Sequence, residues 1–97
     1  MTQRVSIEGR ISIDRCDELR LKLRTVLRSR PAQVTVDLSG ASFIGTSALA
    51  TLLEAVRIAR QQGTRFVLAG LQGQPAHLLE VSLLYRLFEI AESEIIV

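Results

Sequence analysis

Residues 4–13, Arg-Val-Ser-Ile-Glu-Gly-Arg-Ile-Ser-Ile, set Val5, Ile7, Ile11 and Ile13 among polar neighbours. That period of two predicts a strand with one buried face, interrupted at Gly9 by a bulge or turn. Asp14 is placed to cap a following helix from outside, and Asp17 favours that helix's positive end. Cys16, Leu19, Leu23, Val26 and Leu27 then recur at helical spacing. They predict an amphipathic helix over roughly residues 15–29, stopped by Pro31.

The alternation returns in residues 33–39, through Val34, Val36 and Leu38. Ser39-Gly40 is turn material, and Phe43-Ile44 reads as a short buried anchor. A second helix is expected from Thr46 or Ser47, with Leu49, Leu52, Leu53, Val56 and Ala59 as its apolar stripe. Gly63 follows its last turn, where a left-handed cap is expected. Residues 65–69, Arg-Phe-Val-Leu-Ala, form a nearly continuous apolar run, the pattern of a central strand covered on both faces. Pro75 suits the first turn of a third helix over about residues 75–82. Leu78, Leu79, Leu83 and Leu87 are expected to form the buried side of that region. Phe88 to Ile90 predicts a last short strand, and Ser93 offers a cap to the tail. Leu52, Leu53, Val56, Val36, Leu38, Phe66 and Leu68 are the expected core.

Strand and helix thus alternate with short links, which indicates α/β architecture with right-handed crossovers between parallel strands. The 97 residues make one domain, and 47% hydrophobic with 23% charged residues is an ordinary globular balance. Cys16 is the only cysteine, so an intramolecular disulfide is excluded. No apolar run approaches a membrane span, and Met1 to Arg10 lack the apolar core of a signal peptide. A cytoplasmic protein is expected. The net charge of +2 is unevenly placed: Arg15, Arg20, Lys22, Arg24, Arg28 and Arg30 crowd one segment. Aromatic residues are only 4% and Trp is absent, so no stacking platform accompanies the basic cluster. The cluster reads as a solvated helix face, with no nucleic acid as partner.

Catalytic chemistry has little to work with. His77 and Cys16 are each the sole residue of their kind, and neither recurs at ligand spacing. His77 is expected to be exposed, and Cys16 to be a small apolar residue of the first helix. The stretch Gly70-Leu-Gln-Gly73 lacks the Lys-Ser/Thr of a P-loop. No enzyme activity, metal or cofactor is expected. The distinctive segment is the join from Asp37 to Leu49. Thr46 and Ser47 suit a helix N-cap. A helix N-terminus is also receptive to an added phosphate, which would bring about −1.5 to −2 charges.

Residues 34–71 resemble the STAS domain of bacterial anti-sigma factor antagonists. The resemblance lies in the Asp37-Leu-Ser-Gly turn, Phe43-Ile44, two hydroxyl residues, the Leu49-x-x-Leu-Leu helix and the Gly63-x-x-hydrophobic strand. It continues through Leu79 to Phe88 and reaches back to Gly9-Arg-Ile-Ser-Ile-Asp. It implies a STAS fold with a four- to five-stranded mixed, mainly parallel sheet packed with amphipathic helices. It also implies a partner, an anti-sigma factor that is a serine/threonine kinase. The kinase phosphorylates such antagonists at the strand–helix join, and the complex is lost until a phosphatase acts.

Laid on this chain, the family's Asp-Ser-Ser-Gly-Leu motif places Thr46 as phosphoacceptor, with Ser47 as second choice. Gly45 stands where the family carries aspartate, and Ala48 where it carries glycine. The implied partner surface comprises Gly45, Thr46, Ser47 and Ala48, with Ser39, Ser12 and Asp14 nearby. Threonine at the acceptor position is similar to relatives outside the sigma-factor circuit, such as stressosome proteins and a small STAS partner of a phospholipid-transport ATPase. The competing expectation is therefore an assembly subunit of a sulfate- or phospholipid-type transporter, or a stressosome-like scaffold. A nucleotide-binding STAS module, suggested by the basic first helix, is a third. A monomer or weak dimer is expected.

Overall fold

The computed structural model describes residues 1–91. The chain opens with β1 (Thr2–Ser6) and β2 (Gly9–Ile11), then passes through a 3-10 turn at Ile13–Arg15 into α1 (Cys16–Arg28). β3 (Gln33–Asp37) and β4 (Ala41–Ile44) lead into α2 (Thr46–Gln62), and β5 (Arg65–Ala69) follows. The last elements are α3 (Gly73–Ser82), a 3-10 turn at Leu84–Leu87 and β6 (Glu89–Ile90). The cap expected at Ser93 lies outside the described residues.

The expected strand over residues 4–13 is two strands in two sheets. β1, β3, β5 and β6 form a four-stranded sheet in the order β1-β3-β5-β6, while β2 pairs with β4 alone. The break falls where the glycine indicated, and the β2–β4 register shifts between Gly9 and Arg10. Every strand pair among the described residues is parallel, so the expected mixed sheet is corrected to a parallel one. The reason is topological, because each pair is joined by an intervening helix or by a crossover rather than a hairpin. In register, Val5 sits opposite Val36, Val36 opposite Leu68, and Leu68 opposite Ile90.

Position in the sheet explains the burial. β5 is covered on both faces from Phe66 to Ala69, as its unbroken apolar run requires. β3 lies between β1 and β5, so Thr35 is buried beside Val34 and Val36, and the alternation expected of one buried face is lost. The Thr35 hydroxyl is satisfied there by the Gln33 side-chain amide at 3.0 Å. α1 and α2 pack together and contribute Leu19, Leu23 and Leu27, and Leu49, Leu52 and Val56, to one core. Leu53 departs from the expected stripe and is half-buried at its margin.

Helix ends decide the remaining differences. Gly63 takes φ +76° after α2, and its N–H reaches the Ala59 and Arg60 carbonyls, the left-handed cap the sequence predicts. Pro75 lies in the first turn of α3 and is buried. α3 stops at Leu83, which adopts φ +61° without being glycine. The chain therefore turns, and Leu83 and Leu87 lie exposed rather than on the expected buried side. Leu79 is buried and Leu78 half-buried.

Candidate functional site

α2 begins where β4 ends, and the geometry of that join follows from three backbone contacts. Gly45 takes an extended conformation at φ −88° and ψ 173°, and is the N-cap of α2. Its N–H donates to the Ile11 carbonyl at 2.9 Å, which ties the join to β2. Its carbonyl accepts from the Leu49 N–H at 3.1 Å, the first turn of the helix. Among the described residues no side chain caps α2, and its first turn holds no acidic residue. The expectation that a Thr46 or Ser47 hydroxyl serves as the cap is therefore corrected. Thr46 is the first helical residue, one position too late to fold its oxygen back onto the first-turn amides.

The two hydroxyls have different surroundings. Thr46 is exposed and faces solvent at the positive end of the helix. Ser47 is half-buried, and its Oγ accepts from the Cys16 thiol at 3.3 Å. The Ser47 carbonyl accepts from the Thr51 hydroxyl at 2.9 Å. Cys16 is buried at the start of α1, and its sulfur also lies 3.4 Å from the Ser12 carbonyl. Ser12, Cys16 and Ser47 thus meet, which places the 3-10 turn carrying exposed Asp14 beside the α2 N-terminus.

The other expected site residues are distributed as follows. Ser39 is exposed in the β3–β4 turn, at the opposite end of β4 from Gly45. A four-residue strand separates the two by roughly 13 Å. Ala48 is only 1% exposed and belongs to the core cluster, so its place on the docking surface is corrected. The helical period turns it inward while Thr46 points out.

Three features of this region escaped the sequence. Ile13 is 79% exposed, in the turn beside Ser12 and Asp14, although the alternation expected it to face inward. Arg10 stacks its guanidinium over the Phe43 ring at 4.1 Å from the centroid, just ahead of the join. Gln74 of α3 hydrogen-bonds both backbone groups of Ile44. Exposed Ile13 carried a signal in principle, since Asp14 begins a new element and ends the strand period. The other two join residues that lie 30 or more positions apart, and local pattern does not report such pairs.

Electrostatics around the turn are set by Asp37. Hydrogen bonds from Ser39, side chain first and then backbone, with the Arg4 guanidinium, hold its carboxyl below the usual range. Its Oδ1 accepts from the Ser39 N–H at 2.9 Å and its Oδ2 from Arg4 at 3.0 Å. The basic residues of α1 are largely engaged. Arg20 pairs with Asp17 at 2.9 Å and Arg24 with Glu54 at 2.5 Å, while Lys22 lies 3.8 Å from Glu18.

Among the described residues no three His, Cys, Asp or Glu side chains converge on a possible metal position. His77 is exposed on α3. A cavity of about 290 Å³ lies elsewhere, lined by Leu71, Ala76, Leu79, Glu80, Tyr85 and Ile90. Among the described residues that line it, the polar side chains are Glu80 and Tyr85. No helix among the described residues is long and apolar enough to cross a membrane. What the join offers is a solvent-facing hydroxyl on the first turn of a helix, near the turn that carries exposed Ile13 and Asp14.

The chain is similar in fold to the crystal structure of a sulfate transporter family protein from Wolinella succinogenes. The two share 18% identity at a TM-score of 0.74, over 96% of this chain and 74% of that one. A family model described as Mlab, STAS domain matches residues 1–89. That match spans almost the whole described chain, from β1 into β6, and includes the Gly45–Thr46 join. With the parallel sheet and the exposed hydroxyl at the start of α2, it places this chain in the STAS domain family.

Proposed function

We propose that this chain is an anti-sigma factor antagonist. It docks through the α2 N-terminus onto an anti-sigma factor serine/threonine kinase, and phosphorylation of Thr46 ends the complex. The observation that carries this reading is Thr46 itself, exposed on the first turn of a helix with no side-chain cap and no first-turn acid. Free first-turn amides and the positive helix end favour an added phosphate, so the folded domain tolerates the modification. The partner meets about −1.5 to −2 new charges at the centre of its contact. The protein acts in the cytoplasm, as a monomer or weak dimer, and releases the sigma factor by occupying its antagonist.

A second reading has its own support. Gly45 removes the carboxylate that such sites usually carry, the matching family model is described as Mlab, and the similar fold belongs to a sulfate transporter family protein. A STAS subunit assembled permanently on a transporter would use the same face without phosphorylation. One experiment separates the two. The protein is incubated with the kinase and ATP, and the phosphate is mapped by mass spectrometry, while Thr46→Glu and Thr46→Ala are titrated against the partner. The switch requires phosphate on Thr46, unimpaired binding by Thr46→Ala, and weakening by Thr46→Glu of roughly ten- to a hundredfold. Phosphate on Ser47 overturns the acceptor assignment. Absence of phosphate with binding still lost in Thr46→Glu favours the permanent subunit.

A further inference from the structure

We propose that Gln74 is a positioning residue for this site: its carboxamide grips the backbone of Ile44 and thereby fixes where α2 begins and how Thr46 is presented. The inference rests on the docking reading of the α2 N-terminus and adds what holds that surface in place.

The need for such a residue follows from strand geometry. Among the described residues β4 has a single strand partner, β2, which leaves its other edge without a strand. Along a parallel pair, successive residues turn their backbone groups alternately toward and away from the partner strand. Gly45 faces β2, because its N–H donates to the Ile11 carbonyl. Ile44 therefore faces the open edge. It is 1% exposed, so water does not satisfy its N–H and C=O.

Gln74 supplies both partners. Its Oε1 accepts from the Ile44 N–H at 2.8 Å, and its Nε2 donates to the Ile44 carbonyl at 2.9 Å. The side-chain amide thus does the work of a third strand one residue long. Of the side chains of this length, only glutamine carries a donor and an acceptor on one planar group, whereas a carboxylate offers acceptors alone. Two further features fix the grip. Pro75, next in sequence, is buried and sets the first turn of α3. Gln72, two residues earlier, donates to the Ser39 carbonyl at 2.9 Å. The start of α3 therefore holds both the turn that leads into β4 and the residue that leaves it, and the placement of Thr46 depends on α3.

The test uses the free protein, so it is independent of whether any partner binds. Gln74→Glu and Gln74→Leu are compared with the parent by amide hydrogen exchange and 15N chemical shifts across a pH series. At neutral pH Gln74→Leu removes the acceptor, and Gln74→Glu sets a carboxylate oxygen against the Ile44 carbonyl, whose repulsion drives the side chain off both backbone groups. The Ile44 amide should then exchange, after correction for intrinsic rates, about ten- to a hundredfold faster in both. The amide shifts of Gly45, Thr46 and Ser47 should move, while Leu23 in α1 keeps its protection. In Gln74→Glu, acidification protonates the carboxyl and restores the missing donor toward the Ile44 carbonyl. Protection of Ile44 and the Thr46 shift should then return toward the parent values, a recovery that Gln74→Leu cannot show. If Gln74→Leu does not fold, the pH course of Gln74→Glu decides alone. Parent-like Ile44 protection and Gly45–Ser47 shifts in Gln74→Glu at every pH would overturn the proposal. So would a perturbation that acid fails to reverse. Loss of binding in Thr46→Glu is a separate measurement, so a failure of docking and a failure of positioning are told apart.

Discussion

Replacing Gly45 with aspartate restores the carboxylate that this site lacks, and the structure fixes what that should do to the isolated domain. Gly45 sits at φ −88°, where any L residue is comfortable. A Cβ built there would meet the Ile11 carbonyl oxygen at 3.7 Å, the Phe43 ring at 3.8 Å and Ser47 Oγ at 3.9 Å. All three are ordinary contacts, so the glycine is not required by space or strain. The position is the N-cap of α2, where aspartate accepts a first-turn N–H and exceeds glycine by a few tenths of a kcal/mol. Its charge against the helix dipole contributes about 0.3–1 kcal/mol more. Together these give about 0.5–1.4 kcal/mol, a rise in Tm of roughly 2–11 °C for a domain of this size. The new carboxylate is favoured in the folded state, so its folded pKa is lowered. The gain is therefore present above the unfolded aspartate pKa and lost as pH falls through the folded one. Thermal unfolding followed by circular dichroism at neutral pH and at about pH 2–3 reads both effects, and Gly45→Asn separates capping from charge. A fall in Tm at neutral pH and low salt would refute the reasoning, because it would mean that Gly45 is needed for its backbone or that the helix start is occupied.

Other substitutions check separate parts of the fold. Leu83→Gly relieves a bulky, exposed side chain held at φ +61° and should stabilise by about 0.5–1 kcal/mol in urea unfolding, net of the entropy of glycine. Gly70→Ala should do the opposite, costing about 2–4 kcal/mol in the same assay. Gly70 has φ +70°, and an added Cβ would lie 2.7 Å from the Ser39 backbone nitrogen, which cannot move without breaking the Asp37 turn. Asp37 should leave a pH signature. Its folded pKa is lowered, chiefly by Ser39, so its stabilisation is full above the unfolded value and disappears as pH falls through the folded one. The urea midpoint of the parent should thus exceed that of Asp37→Asn at pH 6 and converge with it at about pH 2. A difference that persists in acid would contradict the assignment.

Elements with strong local signals were legible in the sequence. α2 shows why: Leu49, Leu52, Val56 and Ala59 keep one face, and Gly63 closes the helix where its spacing indicates. β5 was legible too, since an unbroken apolar run between glycines has little alternative. What the sequence concealed depends on distant partners. Residues 4–13 alternate alike on both sides of Gly9, so nothing local shows that β2 leaves the main sheet to pair with β4. The exposure of Leu83 and Leu87 follows from a left-handed turn at a leucine, where no glycine announces it. At the strand–helix join, the start of α2 at Thr46 was legible in the sequence. That Ala48 turns inward follows from the helix period once the first helical residue is known. Gln74 reads in sequence as one more polar loop residue, and its role exists only because the fold brings it to Ile44.

The central claim, that the start of α2 is the docking face, is tested most directly by chemical-shift mapping. The 15N-labelled protein is titrated with each proposed partner in turn, an anti-sigma factor kinase and a transporter subunit. Docking at the join requires the largest changes at Gly45, Thr46 and Ser47 and at the neighbouring Ser12–Asp14 turn, and their loss in Thr46→Glu. Changes centred instead on the exposed Val81, Leu83 and Leu87, with the Thr46 amide undisturbed, would contradict it.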